Sequence, residues 1–469
     1  MPTSRSVIVL GGGLAGLSAA QKFTEAGWTV TVIEERSEVG GLASSYESDG
    51  YTYDLGPHRL YSNLDSLNEH FKVVLDGNWD YRDRLSRIFM KGAFFDYPLK
   101  ASNVLQLSPW LIFRSFFDYI VVRIRNAITP IPDDNFENWV IKRFGRTLYE
   151  LFFGTYTRKA WGIPCTQISA DWANQRISLL SLWDTVKKTL FKPKNVPRTY
   201  VTRFLYPKTG GIGALSLGYQ RLIEQEGGTV ICGASVRSLD SEGSQITAVH
   251  YEKDGAQHSA SADLVVSTLP LTMLVPMLGE RVPVEATEAV QGLIHKGIVF
   301  VYLMLDRETL TPDHWVYIPE EHIAVHRISE FTNFSRDCAP PGKTMVCAEI
   351  TSTNGDKYWT MEDDDLIKLA AENLAELKLL DPSELKDGGF VRRVDYAYPI
   401  YDLTYRGHVR TLIEYLRTFS NMVSTGRQGL FRYGNMDHSV AMGHAVARRI
   451  LEDSAIDHEQ IAAGDEYFG

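Results

Sequence analysis

The chain has 469 residues, too long for one compact core, so two or three domains are expected. Hydrophobic residues make up 44% and charged residues 23%, an ordinary globular composition, and the formal net charge is -10. That acidic balance excludes a general nucleic-acid binder but leaves room for a local basic pocket that holds an anionic ligand.

Ser6–Leu10 is a short, largely β-branched run suited to a buried parallel strand. Gly11, Gly13 and Gly16 follow as G-x-G-x-x-G. Gly11 permits a tight turn, Gly13 lets a pyrophosphate approach the backbone, and Gly16 lets the next helix pack closely. The spacing predicts that helix over Leu17–Ala26, ending at Gly27. Its free N–H groups and positive dipole end suit an anion. Thr29–Ile33 reads as the second strand, and Glu34 is placed to bond a ribose hydroxyl. A strand, glycine turn, helix, strand and acid in this order point to a bound dinucleotide. A second glycine pair, Gly40–Gly41, comes soon after. In YDLGPHRLY, 53–61, Gly56–Pro57 would hold His58 rigidly.

The stretch WLIFRSFFDYIVVRIRNAI, 110–128, is interrupted by Arg114, Asp118, Arg123 and Arg125 and is not a spanning helix. It is expected to pack in the second domain; the alternative is peripheral membrane contact at 108–128. In GTYTRKAWGIPCTQISADWANQRI, 154–177, a planar guanidinium at Arg176 suits a phosphate and the aromatics suit a base. Trp172 and Arg176 would share one helical face. The alternative there is a buried aromatic cluster with a structural arginine.

Segment 227–270 reads as β-strands ending in a turn, and GIVFVYLMLD and KTMVCAEIT read as further strands. RVDYAYPIYD, 393–402, is expected as a strand and turn; lining a pocket mouth with Tyr398 is the alternative. The late segment GRQGLFRYGNMDHSVAMGHA, 426–445, mixes arginines, aromatics and glycines before entering a helix. Cys165, Cys232, Cys338 and Cys347 have neither C-x-x-C nor zinc-site spacing, so buried free thiols and no metal are expected. No secretory leader pattern opens the chain, and a cytoplasmic location is expected.

The run from Glu34 through Gly41 and Leu42 resembles the FAD-binding extension of the flavin amine oxidase superfamily. That superfamily includes amine oxidases, protoporphyrinogen oxidase, carotenoid desaturases and UDP-galactopyranose mutase. Segment 227–270, ending in ADLVVSTLP, is similar to the piece that adds a strand and an adenine contact there, here near Val236. The resemblance implies an α/β fold, with a Rossmann-type, glutathione-reductase-like FAD-binding domain interrupted by a mixed α+β substrate domain. The FAD-binding domain is expected at 1–65, 205–280 and 415–469. A helical substrate part is expected at 66–204 and a β-sheet part at 281–414. FAD contacts are implied at Gly11, Gly13, Leu14, Ala15, Gly16, Glu34, Glu35, Gly41, Leu42, Gly56, Pro57, His58, Val236, Asn435 and Met436.

Three local matches resemble the mutase. His58 matches the histidine of G-P-H-x-F near the flavin ring. Tyr156, Lys159 and Trp161 match Y-T-x-K-Q-W, with Ala160 in place of Gln, and Arg176 falls where the mutase carries a diphosphate-binding arginine. Arg427, Tyr433 and Met436 align with G-R-L-x-x-Y-x-Y-x-D-M, where Gln428, Phe431 and Asn435 depart from the pattern. The resemblance implies catalytic roles for His58, Arg176, Arg427 and Tyr433. It implies substrate contacts at Tyr156, Trp161, Arg176, Tyr398, Arg427 and Tyr433. The reaction implied is a nucleotide-sugar isomerisation using reduced flavin N5, with NADPH or NADH as a transient reductant. The other reading is a flavin oxidoreductase that takes hydride from its substrate, and an oligomer is compatible with both.

Overall fold

A computed structural model describes residues 5–97, 103, 106–177, 202–385 and 388–463. The chain divides into two units. One comprises Met1–Arg82, Phe204–His295 and Thr404–Gly464, and the other Asp83–Arg203, Lys296–Leu403 and Asp465–Gly469.

The first unit is built on five parallel strands. Their order is Met422–Ser424, Leu264–Ser267, Ser6–Leu10, Thr29–Ile33 and Thr229–Ile231. Val9, Leu10, Val32 and Val266 are completely buried, as a sheet covered on both faces requires. The helix after the glycine turn runs over Leu14–Glu25, three residues earlier than its apolar spacing indicates. Gly13 serves as its N-cap, so the turn residues Leu14–Gly16 already belong to the first helical turn. A side chain at Gly16 would place its Cβ 2.1 Å from the Gly11 carbonyl oxygen, which is the close approach read from the motif.

The closing helix, Met436–Leu451, packs on Leu14–Glu25. Gly443 makes this approach feasible, because a Cβ there would lie 2.3 Å from the Ala15 carbonyl oxygen. Ser18 Oγ donates to the Val440 carbonyl across the same contact at 3.3 Å. The strand Met422–Ser424 completes the sheet edge beside Leu264–Ser267. The last stretch of chain therefore closes the unit that the first stretch begins. A separate antiparallel sheet of Ala234–Glu242, Gln245–Lys253 and Ala256–Ala260 carries Val236.

The second unit is built on seven strands in the order Gly389–Pro399, His295–Leu305, Thr344–Ser352, Arg327–Glu330, Trp315–Tyr317, Ser86–Met90 and Ala93–Asp96. Val299, Val301 and Leu303 point one face of the sheet at Leu366, Ala370 and Leu374 of the helix Asp363–Glu376, and all six are fully buried. The last two strands differ from the helical reading of 66–204. They form a hairpin turned by Lys91 and Gly92, both with left-handed backbones (φ 52° and 74°).

The same unit holds the helices Phe136–Phe144, Thr155–Trp161, Ala170–Arg176 and Pro109–Ile128. The helix Pro109–Ile128 packs in this unit, as expected, against Phe136–Phe144 and Arg146–Leu148, but by a narrow face: Val122 is its only buried residue. No helix among the described residues is long and apolar enough to cross a membrane.

The first unit holds a half-buried histidine pair. The His70 and His444 rings lie 4.8 Å apart, and His70 Nε2 is 2.9 Å from the Tyr219 hydroxyl. Burial pushes His70 down to about 4 and His444 to about 3. Unfolded histidines titrate near 6.5, so between about pH 6.5 and 4 the unfolded chain binds more protons and acid destabilises the fold. Asp54 works in the opposite direction: burial pushes it up to about 6, so the folded form gains its proton first as pH falls. Burial also lowers His295, to about 4, and His458 in this unit, so histidines outweigh the one carboxyl and the urea midpoint is expected to fall between pH 7 and 4. His444→Gln should flatten that slope, and an unchanged slope would remove the pair as its cause.

Candidate active site

At the glycine turn, the backbone leaves room for a ligand. Gly13 has an ordinary extended conformation (φ -75°, ψ 171°), and a Cβ built on it meets nothing within 4 Å. The helix behind it has no side-chain cap and no acid in its first turn. Its first N–H groups therefore form a cradle for an anion. Leu14 and Ala15 are buried under the turn.

Glu34 is buried at the end of its strand. One carboxylate oxygen accepts the Gly12 N–H at 2.6 Å and the other accepts the Arg36 N–H at 2.9 Å. The carboxylate is thus fixed in direction, and each oxygen keeps a second acceptor site. The Gly40 N–H donates to the Gly12 carbonyl at 2.8 Å. This brings the second glycine pair onto the first, with a Cβ built on Gly41 lying 3.6 Å from Gly13 Cα. Leu42 follows, half-buried. Arg36 Nη1 donates to the Gly41 carbonyl at 2.9 Å and ties the two segments together. The sequence reading did not single out Arg36. Ala234 N–H donates to the Glu34 carbonyl at 2.9 Å, and Ser235 Oγ donates to Glu35 at 3.0 Å. Val236 is therefore anchored beside the acid.

His58 lies on a braced loop. Gly56 turns it with a left-handed backbone (φ 88°), and Leu60 pairs with Leu205 in both directions at 3.0 and 2.8 Å. Before the loop, Asp54 accepts from the Tyr206 hydroxyl at 2.6 Å and the Ile212 N–H at 3.0 Å. Pro57 and His58 are half-buried.

The late segment returns to the glycine turn. A Cβ on Gly426 would come within 2.8 Å of Ala15 Cβ. Arg427 Nη1 donates to the Gly434 carbonyl at 2.6 Å, and its guanidinium stands 4.5 Å from the centre of the Tyr433 ring. The structure thus brings Arg427 and Tyr433 together, with the arginine already engaged in bracing its own loop. Phe431 is buried with a left-handed backbone (φ 50°), a strained conformation for an aromatic residue, and packs edge-on against His295 at 4.9 Å. Asn435 caps the closing helix, and its own N–H donates to His438 Nδ1 at 3.1 Å. Met436 opens the helix.

In the second unit, Tyr156 belongs to a polar cluster. Its ring meets Tyr317 at 5.5 Å and His326 at 6.2 Å. Arg327 donates to both Glu349 oxygens, at 2.7 and 2.6 Å, and reaches the Tyr398 hydroxyl at 3.4 Å. Burial pushes the Tyr156 phenol well up, so it is a neutral O–H donor. Burial would lower Arg327, but Glu349 outweighs it and holds the guanidinium charged. Burial, with help from Arg327 and Lys159, keeps His326 neutral. Trp161 packs edge-on against Trp172 at 4.5 Å and Tyr398 at 5.7 Å. Lys159 Nζ donates to the carbonyls of Ile318, Glu320 and Val325, so it is a staple for the strand region. Arg176 ends the helix Ala170–Arg176, and its side chain lies outside the described residues.

Sequence reasoning missed Arg327, Glu349 and Lys296. A charge inside a buried strand needs a partner, but which partner depends on strands that are distant in sequence. Lys296 is nearly buried, and its Nζ bonds Thr353 Oγ1 at 3.0 Å. Burial lowers its affinity for a proton, and Asp356 opposes that effect.

Residues 14–451 match the family described as flavin containing amine oxidoreductase. The chain belongs to that family. This flavin amine oxidoreductase is therefore an FAD-dependent enzyme. It is 23% identical to the 15-cis-phytoene desaturase of Synechococcus elongatus over 480 residues, 95% of each chain. A solved structure of reduced UDP-galactopyranose mutase aligns with a TM-score of 0.84 at 22% identity, covering 98% of this chain and 96% of that one. Putrescine oxidase with bound putrescine aligns with a TM-score of 0.63 at 17% identity, covering 96% of this chain and 99% of that one. The amine oxidoreductase shares its fold with both.

Proposed function

We propose that this enzyme acts on a nucleotide-diphosphate sugar as a mutase-like isomerase. The residues at the glycine turn fit FAD. Gly11, Gly13 and Gly16 suit its pyrophosphate, Glu34 a ribose hydroxyl and Val236 the adenine, while His58, Asn435 and Met436 are assigned to the flavin end. Once bound and reduced, FAD would supply an electron-rich nitrogen, N5, that can attack carbon, with NADPH or NADH as the transient reductant; no side chain here replaces it. The resemblance assigns Arg176 and Arg427 to the diphosphate, where a guanidinium would supply the positive charge that its departure needs. Tyr156 and Tyr433 donate hydroxyl hydrogen bonds that orient it.

The observation that carries this reading is the polar character of the cluster around Tyr156. Arg327, Glu349, His326 and three phenols surround the segment assigned to the substrate. Such groups are costly to desolvate against a hydrocarbon and favourable against a hydroxyl-rich, phosphate-bearing ligand. The reading is tested by thermal unfolding of the holoenzyme with a panel of nucleotide sugars and the free nucleoside diphosphates. At 100 times its dissociation constant the right ligand should add about 2.7 kcal/mol of stability. Tyr156→Phe should weaken that protection, and Arg427→Ala should cost roughly 2–5 kcal/mol of binding. Protection by none of the panel would sink the nucleotide-sugar assignment.

The second reading is a hydride-accepting oxidoreductase. The desaturase relative, aligned over nearly the whole chain, favours it. Under that reading, anaerobic addition of the substrate reduces the flavin stoichiometrically.

A further inference from the structure

We propose that the helix Pro109–Ile128 docks this enzyme on an anionic phospholipid surface. The helix is 20 residues long, about 30 Å, and begins at Ser108, whose side chain caps it. Trp110, Phe113, Phe116, Phe117, Ile124 and Ile128 are all more than half exposed, from 57% for Ile124 to 78% for Ile128. At about 100° per residue these six fall within roughly one third of the helix circumference. Their rings stack along the face, with Trp110 and Phe113 at 6.0 Å and Phe113 and Phe117 at 6.4 Å. A solvated apolar stripe of this size is costly unless something covers it.

The charges beside the stripe indicate what covers it. On the same wheel, Arg123 borders one edge of the stripe and Arg114 and Arg125 border the other. All three are exposed, and none pairs with a carboxylate among the described residues. Arg123 leans over the Tyr119 ring at 6.0 Å. Asp118, the sole acid of the helix, is turned inward, where it accepts the Thr147 N–H at 2.7 Å. A chain of net charge -10 thus presents a local surface of three arginines around aromatic and aliphatic side chains. Rings at the depth of the acyl boundary and guanidiniums at the level of phosphates are what a helix lying in the plane of an anionic membrane requires. An acidic protein groove would match the arginines but not so continuous an apolar stripe.

The holoenzyme should float with phosphatidylcholine vesicles containing about 30% phosphatidylglycerol, with at least roughly tenfold preference over pure phosphatidylcholine. High salt should weaken the binding. Phe116→Glu with Phe117→Glu should lower partitioning at least about tenfold with flavin content and Tm unchanged. Arg114→Glu with Arg125→Glu should abolish the preference for anionic vesicles while leaving the apolar stripe intact. The proposal would be overturned by no flotation of the native enzyme, by flotation indifferent to both double variants, or by a dimer in light scattering that the phenylalanine variant dissociates. The last would make a second copy the occupant. A lowered Tm in the phenylalanine variant without vesicle binding would mean that the chain's own residues cover the stripe.

Discussion

Replacing Gly13 with valine is expected to leave the flavin-free protein folded and to deprive it of FAD. The backbone at Gly13 is extended, so any residue can adopt it, and its Cβ would enter open space. Without flavin the cost should stay within about 0.5 kcal/mol. That open space is where a pyrophosphate approaches the backbone, so FAD affinity should fall by about 100-fold or more, with Gly13→Ala intermediate. Gly16→Val should behave in the opposite manner. Its Cβ would collide with the Gly11 carbonyl, so the helix must separate from its strand and the fold itself should fail. Flavin absorbance after purification and the urea midpoint of the flavin-free protein separate the two outcomes. A Gly13→Val protein that retains FAD at native affinity would move the pyrophosphate elsewhere.

Removing the Arg327 side chain should produce the largest stability loss in the second unit. Glu349 is wholly buried, and both its oxygens are taken by the guanidinium. Arg327→Ala leaves that carboxylate without its charged partner, at a cost of roughly 3–5 kcal/mol. Replacing both residues with apolar side chains of similar volume should restore most of the loss, because the penalty belongs to the unpaired charge. The same double variant should lose nucleotide-sugar protection, because the donors around Tyr156 lose their fixed orientation. A cost below about 1 kcal/mol for Arg327→Ala would mean that water reaches the pair and that the cluster is no rigid platform.

The parts that were legible from sequence are those specified locally. The glycine turn, both flanking strands and the acid at 34 are close in sequence, and each glycine has its own steric reason. Gly443 acts in the same way, as a small residue where two helices touch. The hairpin at 86–96 was obscured because its alternation is crowded with aromatics, and only the Lys91–Gly92 turn reveals it. Arg327 and Glu349 were missed because their meaning depends on which strands become neighbours, and they pair across adjacent strands 22 residues apart. The exposure of 109–128 was illegible for a similar reason, since periodicity marks an apolar face without saying what meets it. Asn435 is the N-cap of the closing helix, a position that asparagine and aspartate favour alike, so the amide keeps the capping role that the acid of the mutase-like pattern could fill.

The central claim is tested most directly by incubating the dithionite-reduced enzyme anaerobically with candidate nucleotide sugars and following both sugar ring size and flavin absorbance. The account predicts that a ring-size isomer accumulates over many turnovers while the flavin stays reduced. Oxidised enzyme that is reduced stoichiometrically by its substrate, with no isomer formed by the reduced enzyme, would contradict it.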